Sequence, residues 1–282
     1  MNAFKNGEVA MWVLVNLLVM VGMLVVVPAG LRMLADPAAE LARRLWPYGA
    51  VAGALSLWLP RGAVATALAT GYAITTAVLC AYALSRPTRP RREWPAEAAV
   101  LTALIGPAIA ASALVAERSG YHLFGFELGV LSLTVAHFHF AGFAAALIAG
   151  LLTRVRPGSL ADAAALTVPA GTLIVFVGYF TAEWVELAGA LVLTAGMWTV
   201  GALTWLHART GATDRLTAAL LGGSALVLAA SMVLAVSWAL GEATGLPHPS
   251  LAWMAATHGI ANALGFAVCG MVGWRRVGAM VQ

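Results

Sequence analysis

Residues 135–143 read VAHFHFAGF and residues 257–262 read THGIAN. Together they set three imidazoles, His137, His139 and His258, and one carboxamide, Asn262, among Leu, Ala, Val and Phe. A third stretch, TAEWVELAG at 181–189, adds Glu183 and Glu186. Neutral imidazole is the commonest protein ligand for zinc, copper and iron, and carboxylates can complete such sites. The same residue types relay protons in transporters. On a straight α-helix His258 and Asn262 share a face, and so do Glu183 and Glu186. His137 and His139 do not, because two residues turn the helix by about 200°. On a straight helix the pair is poorly placed to chelate one ion. One is expected to face a bundle interior, and the other needs a separate partner.

The elements that must position these groups follow from composition. The chain has 282 residues, 61% of them hydrophobic and only 10% charged, with a mean hydropathy of +0.88. Soluble domains carry about a quarter charged residues. Apolar runs recur at roughly 10–31, 45–59, 62–84, 97–116, 128–152, 160–181, 184–207, 216–240 and 250–273. In a bilayer such runs must be helices, since lipid satisfies no open backbone. The expected fold class is all-α, a polytopic transmembrane helix bundle of about nine spans. It forms a single integral membrane domain over 1–282, partnered by the lipid bilayer. The segment Asp36–Arg44 reads as a short interfacial helix, with Leu41 and Leu45 on its apolar side.

Net charge is +4, but the arginines sit in small groups between apolar runs, a topology signal that gives no reason to expect nucleic acid as a partner. The run 45–59 is the shortest, and charge tests it. With nine crossings, one side receives Arg32, Arg43, Arg44, Arg86, Arg89, Arg91, Arg92, Arg154, Arg156, Arg209, Arg215, Arg275 and Arg276. The other receives Lys5, Arg61 and Arg118. That is thirteen of the 16 basic residues against three. Without the second crossing the same residues divide eleven against five, a poorer fit to the positive-inside rule. Nine crossings place the N-terminus outside and the C-terminus in the cytoplasm. Trp12, Trp58, Trp184, Trp238 and Trp253 then fall toward the outer ends of spans, and Trp46, Trp94, Trp205 and Trp274 toward the inner ends, as interfacial belts require. Cys80 and Cys269 both lie in apolar runs and no CxxCH occurs, so neither a disulfide framework nor covalent c-type haem is expected.

The arginines also act as a ruler. His137 stands seventeen residues before Arg154 and His258 seventeen before Arg275, each about 25 Å above its arginine. Both are expected in the outer half of the bilayer, near Asn16, Glu183 and Glu186. Intramembrane ionisable groups usually face a bundle interior or cavity, so the set predicts one polar pocket opening outward.

HFHFAGF at 137–143 and HGIANALGF at 258–266 resemble the paired motifs of the YndJ-like membrane proteins. The resemblance covers the spans around 121–153 and 250–273, with overall length and hydropathy. It implies a polytopic bacterial membrane protein of the cell membrane, in a family sometimes labelled as transporters, and it brings no catalytic role.

Two readings of the pocket follow from the residues. In the first it binds haem b or a divalent metal ion. His137 or His139 opposite His258 would supply axial ligands, with room at Gly142 and Gly259, or the same imidazoles would hold a metal with Glu186 and Glu183. Asn262 would line the cofactor. In the second the pocket is part of a proton-coupled transporter for an ion or small solute. An enzyme acting on lipid and an anchoring subunit are further readings that residue types alone do not separate.

Overall fold

The structure is a computed structural model that describes residues 2–34, 36–212 and 214–278, with side chains from Val9 onward. Lys5 lies outside the described side chains. The described residues contain no strand. Among the described residues nine helices follow the nine apolar runs: α1 with its apolar stretch Val9–Leu31, α2 Glu40–Ser56, α3 Ala63–Ser85, α4 Trp94–Ser119, α5 Leu128–Val155, α6 Ser159–Thr181, α7 Glu183–Thr210, α8 Arg215–Thr244 and α9 Leu251–Arg276. Eight are long and apolar enough to cross a membrane. The exception is α2, whose 17 residues span about 25 Å.

The chain divides into two compact units. One holds the chain up to Thr88 with Ala103–Ala144, and the other holds Arg89–Thr102 with the chain from Ala145 onward. The division falls inside α4 and α5.

In the first unit, helix directions settle the status of α2. Trp46 Nε1 donates to Met23 O at 2.8 Å and Asn16 Nδ2 to Leu57 O at 3.0 Å, so α2 runs antiparallel to α1. Gly49 lies against Thr75 and Gly53 against Tyr72, so α3 runs antiparallel to α2. Hence α1 and α3 point the same way. Two spans with one direction need a return between them, and α2 is that return. The α1–α5 contacts agree, since Gly129 meets Trp12 and Gly22 meets His139 in parallel register.

Asp36–Arg44 is not a separate interfacial helix. Asp36 caps a single tight turn, Pro37–Ala39, by accepting from Ala38 N at 2.9 Å. The helix then runs from Glu40 unbroken through Pro47 to Ser56. Of its polar side, Arg43 turns to the loop after α1 and donates to the carbonyls of Leu34 and Asp36 at 2.9 and 2.7 Å, while Arg44 stays exposed and pairs with Glu40.

Two of the three basic residues on the sparsely charged side have a structural reason. Glu117, 1% exposed, pairs with Arg61 at 2.8 Å and with Arg118. Arg118 also donates to Ser56 O and Leu59 O, both at 3.3 Å, closing the end of α2. Buried charge is tolerated when paired in this way.

In the second unit α6 and α7 form a glycine-mediated hairpin. Gly171 and Gly178 of α6 meet Leu193 and Glu186, while Gly189 and Gly196 of α7 meet Val175 and Thr167. All four keep one antiparallel register, and small residues let the backbones approach closely. Asp214 caps α8 by accepting from Leu216 N at 2.9 Å and Thr217 N at 3.0 Å. Gly265, Gly270 and Gly273 of α9 pack on Val227, Ser224 and Leu221 of α8.

Candidate functional site in the π-helical turns

Both motif stretches leave the α-helical register. Among the described residues, π-helical turns occupy Gly22–Val26 of α1, Phe138–Ala145 of α5, and Ala255–Gly259 and Ala261–Val268 of α9. A π turn loosens the regular ladder of backbone bonds, and such turns often mark functional positions. Here side chains take up carbonyls of the widened turns: Trp46 bonds Met23 O, Asn262 bonds His258 O at 2.8 Å, and Ser224 bonds Phe266 O at 3.0 Å.

In the first unit the two neighbouring histidines part company. His137 is exposed and meets Phe138 edge-on. His139 is 0% exposed, its Cβ and ring against Gly22. Its Nδ1 lies 2.6 Å from Val135 O and its Nε2 2.6 Å from Tyr72 Oη. A carbonyl can only accept, so Nδ1 carries the proton. Nε2 therefore accepts, and the Tyr72 hydroxyl donates to it. Trp46 packs edge-on to Tyr72, with centroids 5.6 Å apart. Both nitrogens of His139 are occupied inside a packed aromatic cluster. Gly142, which the sequence offered as room for a macrocycle, is filled in by Phe138 and by Gly106 of α4. Asn16 closes the end of α2 by donating to Leu57 O.

In the second unit His258 is half-buried. Its Nδ1 lies 2.9 Å from Ser231 O, so the same reasoning puts the proton on Nδ1. Nε2 keeps its lone pair, and no described residue hydrogen-bonds to it. Asn262, one turn on, donates through Nδ2 to His258 O and accepts through Oδ1 from Ser231 Oγ at 3.1 Å.

The carboxylates gather elsewhere. Glu183 is exposed at the start of α7, and Glu186 is half-buried beside Gly178. Glu186 interacts electrostatically with Glu242 and Glu183, and Glu242 pairs with His248 at 3.2 Å. Along α8, Glu242 stands eleven residues beyond Ser231, roughly 16 Å. The structure therefore does not bring Glu183 and Glu186 to His258. Among the described residues, no three His, Cys, Asp or Glu side chains come together to hold a metal ion.

A family model described as YndJ-like protein matches residues 17–266. The chain belongs to the YndJ-like family. The matched region takes in all four π-helical turns but for the last two residues of the final one. No curated protein and no solved structure matches this YndJ-like chain.

The site residues that the sequence concealed are Tyr72, Trp46 and Ser231. Each is an ordinary interfacial or packing residue by type. The signal available was Tyr72 within ATGYAITT, a phenol in the middle of an apolar span, where a buried hydroxyl needs a partner.

Proposed function

We propose that this YndJ-like protein is a membrane-embedded binding protein of the cell membrane, and that its ligand is taken by Nε2 of His258. One observation carries the reading: Nδ1 of that ring is tied to the Ser231 carbonyl, while Nε2 remains open. Ligating histidines characteristically donate their other ring N–H to a carbonyl or carboxylate, which fixes the tautomer and raises the basicity of the open nitrogen. The favoured ligand is a b-type haem iron, which this one imidazole would hold. A divalent metal ion would draw its remaining ligands from water or a bound solute.

The topology in this reading follows the arginine distribution, with the C-terminus in the cytoplasm and His258 in the outer half of the bilayer. A second reading, transport of an ion or small solute past the same nitrogen, is favoured by the π-helical register of 255–268. Irregular backbone at membrane depth is tolerated where it lines a cavity.

Absorption spectra and metal analysis of the purified protein test the proposal. A Soret band, or bound transition metal, that disappears in His258→Ala is the expected result. A folded protein that takes up neither haem nor metal when both are supplied overturns it, and uptake of a solute into proteoliposomes that requires His258 then supports the transport reading.

A further inference from the structure

We infer that Asn262 and Ser231 are positioning residues that fix the tautomer and the aim of His258; this rests on the reading of His258 as the ligand-binding group. The three side chains form a closed ring of hydrogen bonds. His258 Nδ1 donates to Ser231 O at 2.9 Å, Ser231 Oγ donates to Asn262 Oδ1 at 3.1 Å, and Asn262 Nδ2 donates to His258 O at 2.8 Å.

Chemistry fixes every direction in the ring. The carbonyl of His258 can only accept, so the amide of Asn262 must present its nitrogen there. That leaves Oδ1 toward Ser231, which makes the hydroxyl the donor. The carbonyl of Ser231 can likewise only accept, so the imidazole proton sits on Nδ1. In the neutral ring this closure puts the single proton on Nδ1 and leaves the lone pair on Nε2, the state a Lewis-acidic ligand needs.

Closure also fixes register. A serine within a helix ordinarily bonds back to the carbonyl four residues earlier; Ser231 reaches across to α9 instead. Ser224, two turns earlier on α8, makes a second crossing to Phe266 O at 3.0 Å, and between them Gly265 lets Val227 come close. The His258 carbonyl lies in the π-helical turn, and Asn262 donates to it. Thus the widened turn of α9, the tautomer of its histidine and the position of α8 are held by one network. Asn262 is in this account not itself a ligand.

Nitrogen-15 NMR of histidine-labelled protein, with His258 assigned by comparison with His258→Ala, reads the tautomer without any ligand. The wild type is expected to show His258 as a single Nδ1–H tautomer. Asn262→Ala and, independently, Ser231→Ala are expected to give mixed or reversed tautomers, while Ser231→Thr, which keeps the hydroxyl, restores the single form. Titration with ferric haem and with Zn2+ then reads affinity, and loss of an outer-shell partner of this kind costs about ten- to hundred-fold. A single Nδ1–H tautomer and unchanged affinity in folded Asn262→Ala or Ser231→Ala overturn the inference. Tautomer loss in those variants, together with no binding of either probe by the wild type, leaves the positioning role standing and removes the ligand reading.

Discussion

His139 and His258 sit in similar surroundings and end in opposite states. Each lies in or beside a π-helical turn of an apolar helix, and each donates Nδ1–H to a backbone carbonyl. In the first unit the other nitrogen is capped by Tyr72 and the ring is sealed by Gly22 and the aromatic cluster. In the second it is open, with a hydrogen-bond network built around the ring rather than over it. One tautomer thus serves two purposes. Where a hydroxyl meets Nε2, the imidazole is a packing element whose polar atoms are all satisfied. Where no described residue meets it, the same geometry leaves a lone pair, and the proposed ligand would take it.

The strongest way to break this comparison is to force the sealed ring open. A side chain at Gly22 would overlap the Cβ and ring of His139, so Gly22→Val is expected to cost about 3 kcal/mol or to abolish folding. Yield and melting temperature in detergent check this, and a normal melting curve shows that the ring is not sealed. Next come the two alanine variants. His139→Ala removes a packed ring and orphans the Tyr72 hydroxyl, a loss of roughly 2–4 kcal/mol. His258→Ala is expected to change stability by less than about 1 kcal/mol while eliminating ligand uptake. The reverse pattern assigns the open role to the wrong histidine.

Acid sharpens the comparison further. A ligand on Nε2 of His258 competes with a proton for that lone pair, so affinity should fall as pH is lowered, by up to about tenfold per pH unit once the ring titrates. Equilibrium titrations at several pH values read this, and a flat profile points to a different ligand atom. The smallest effect is expected from Tyr72→Phe. It leaves the acceptor of His139 unpaired and should cost about 1 kcal/mol, within the range for hydrogen bonds between membrane helices, with ligand affinity unchanged. An altered affinity would mean that the two regions are coupled.

Much of the fold was legible because bilayer thickness acts on composition alone. Nine apolar runs gave nine helices, with ends shifted by only a few residues in most cases. The argument from charge for a second crossing agrees with the parallel directions of α1, α3 and α5. Arg61 and Arg118, which run against the charge rule, were readable only as exceptions, because Glu117 becomes their partner through the fold. Asp36–Arg44 misled for a different reason: an amphipathic stretch reveals that it has a polar side but not that its helix runs on unbroken through Pro47 to Ser56.

The site was legible in part. The opposition of His137 and His139 followed from helix geometry and persists, with one exposed and one buried. The union of Glu183 and Glu186 with His258 did not follow, because similar depth in a bilayer says nothing about lateral distance. The π-helical turns have no signature in residue type.

By itself the sequence determined a polytopic α-helical membrane protein, its apolar runs and the residues with chemistry to offer. Burial in lipid imposes helix on every long apolar run. Only the tertiary structure decided which imidazole is spent and which is available. That choice rests on single hydrogen bonds of 2.6–3.1 Å: the Tyr72–His139 contact spans 67 residues, and the Ser231 contacts with His258 and Asn262 span 27 and 31. Periodicity places a residue on a helix face, but the atom that comes to meet it is set by the packing of another helix.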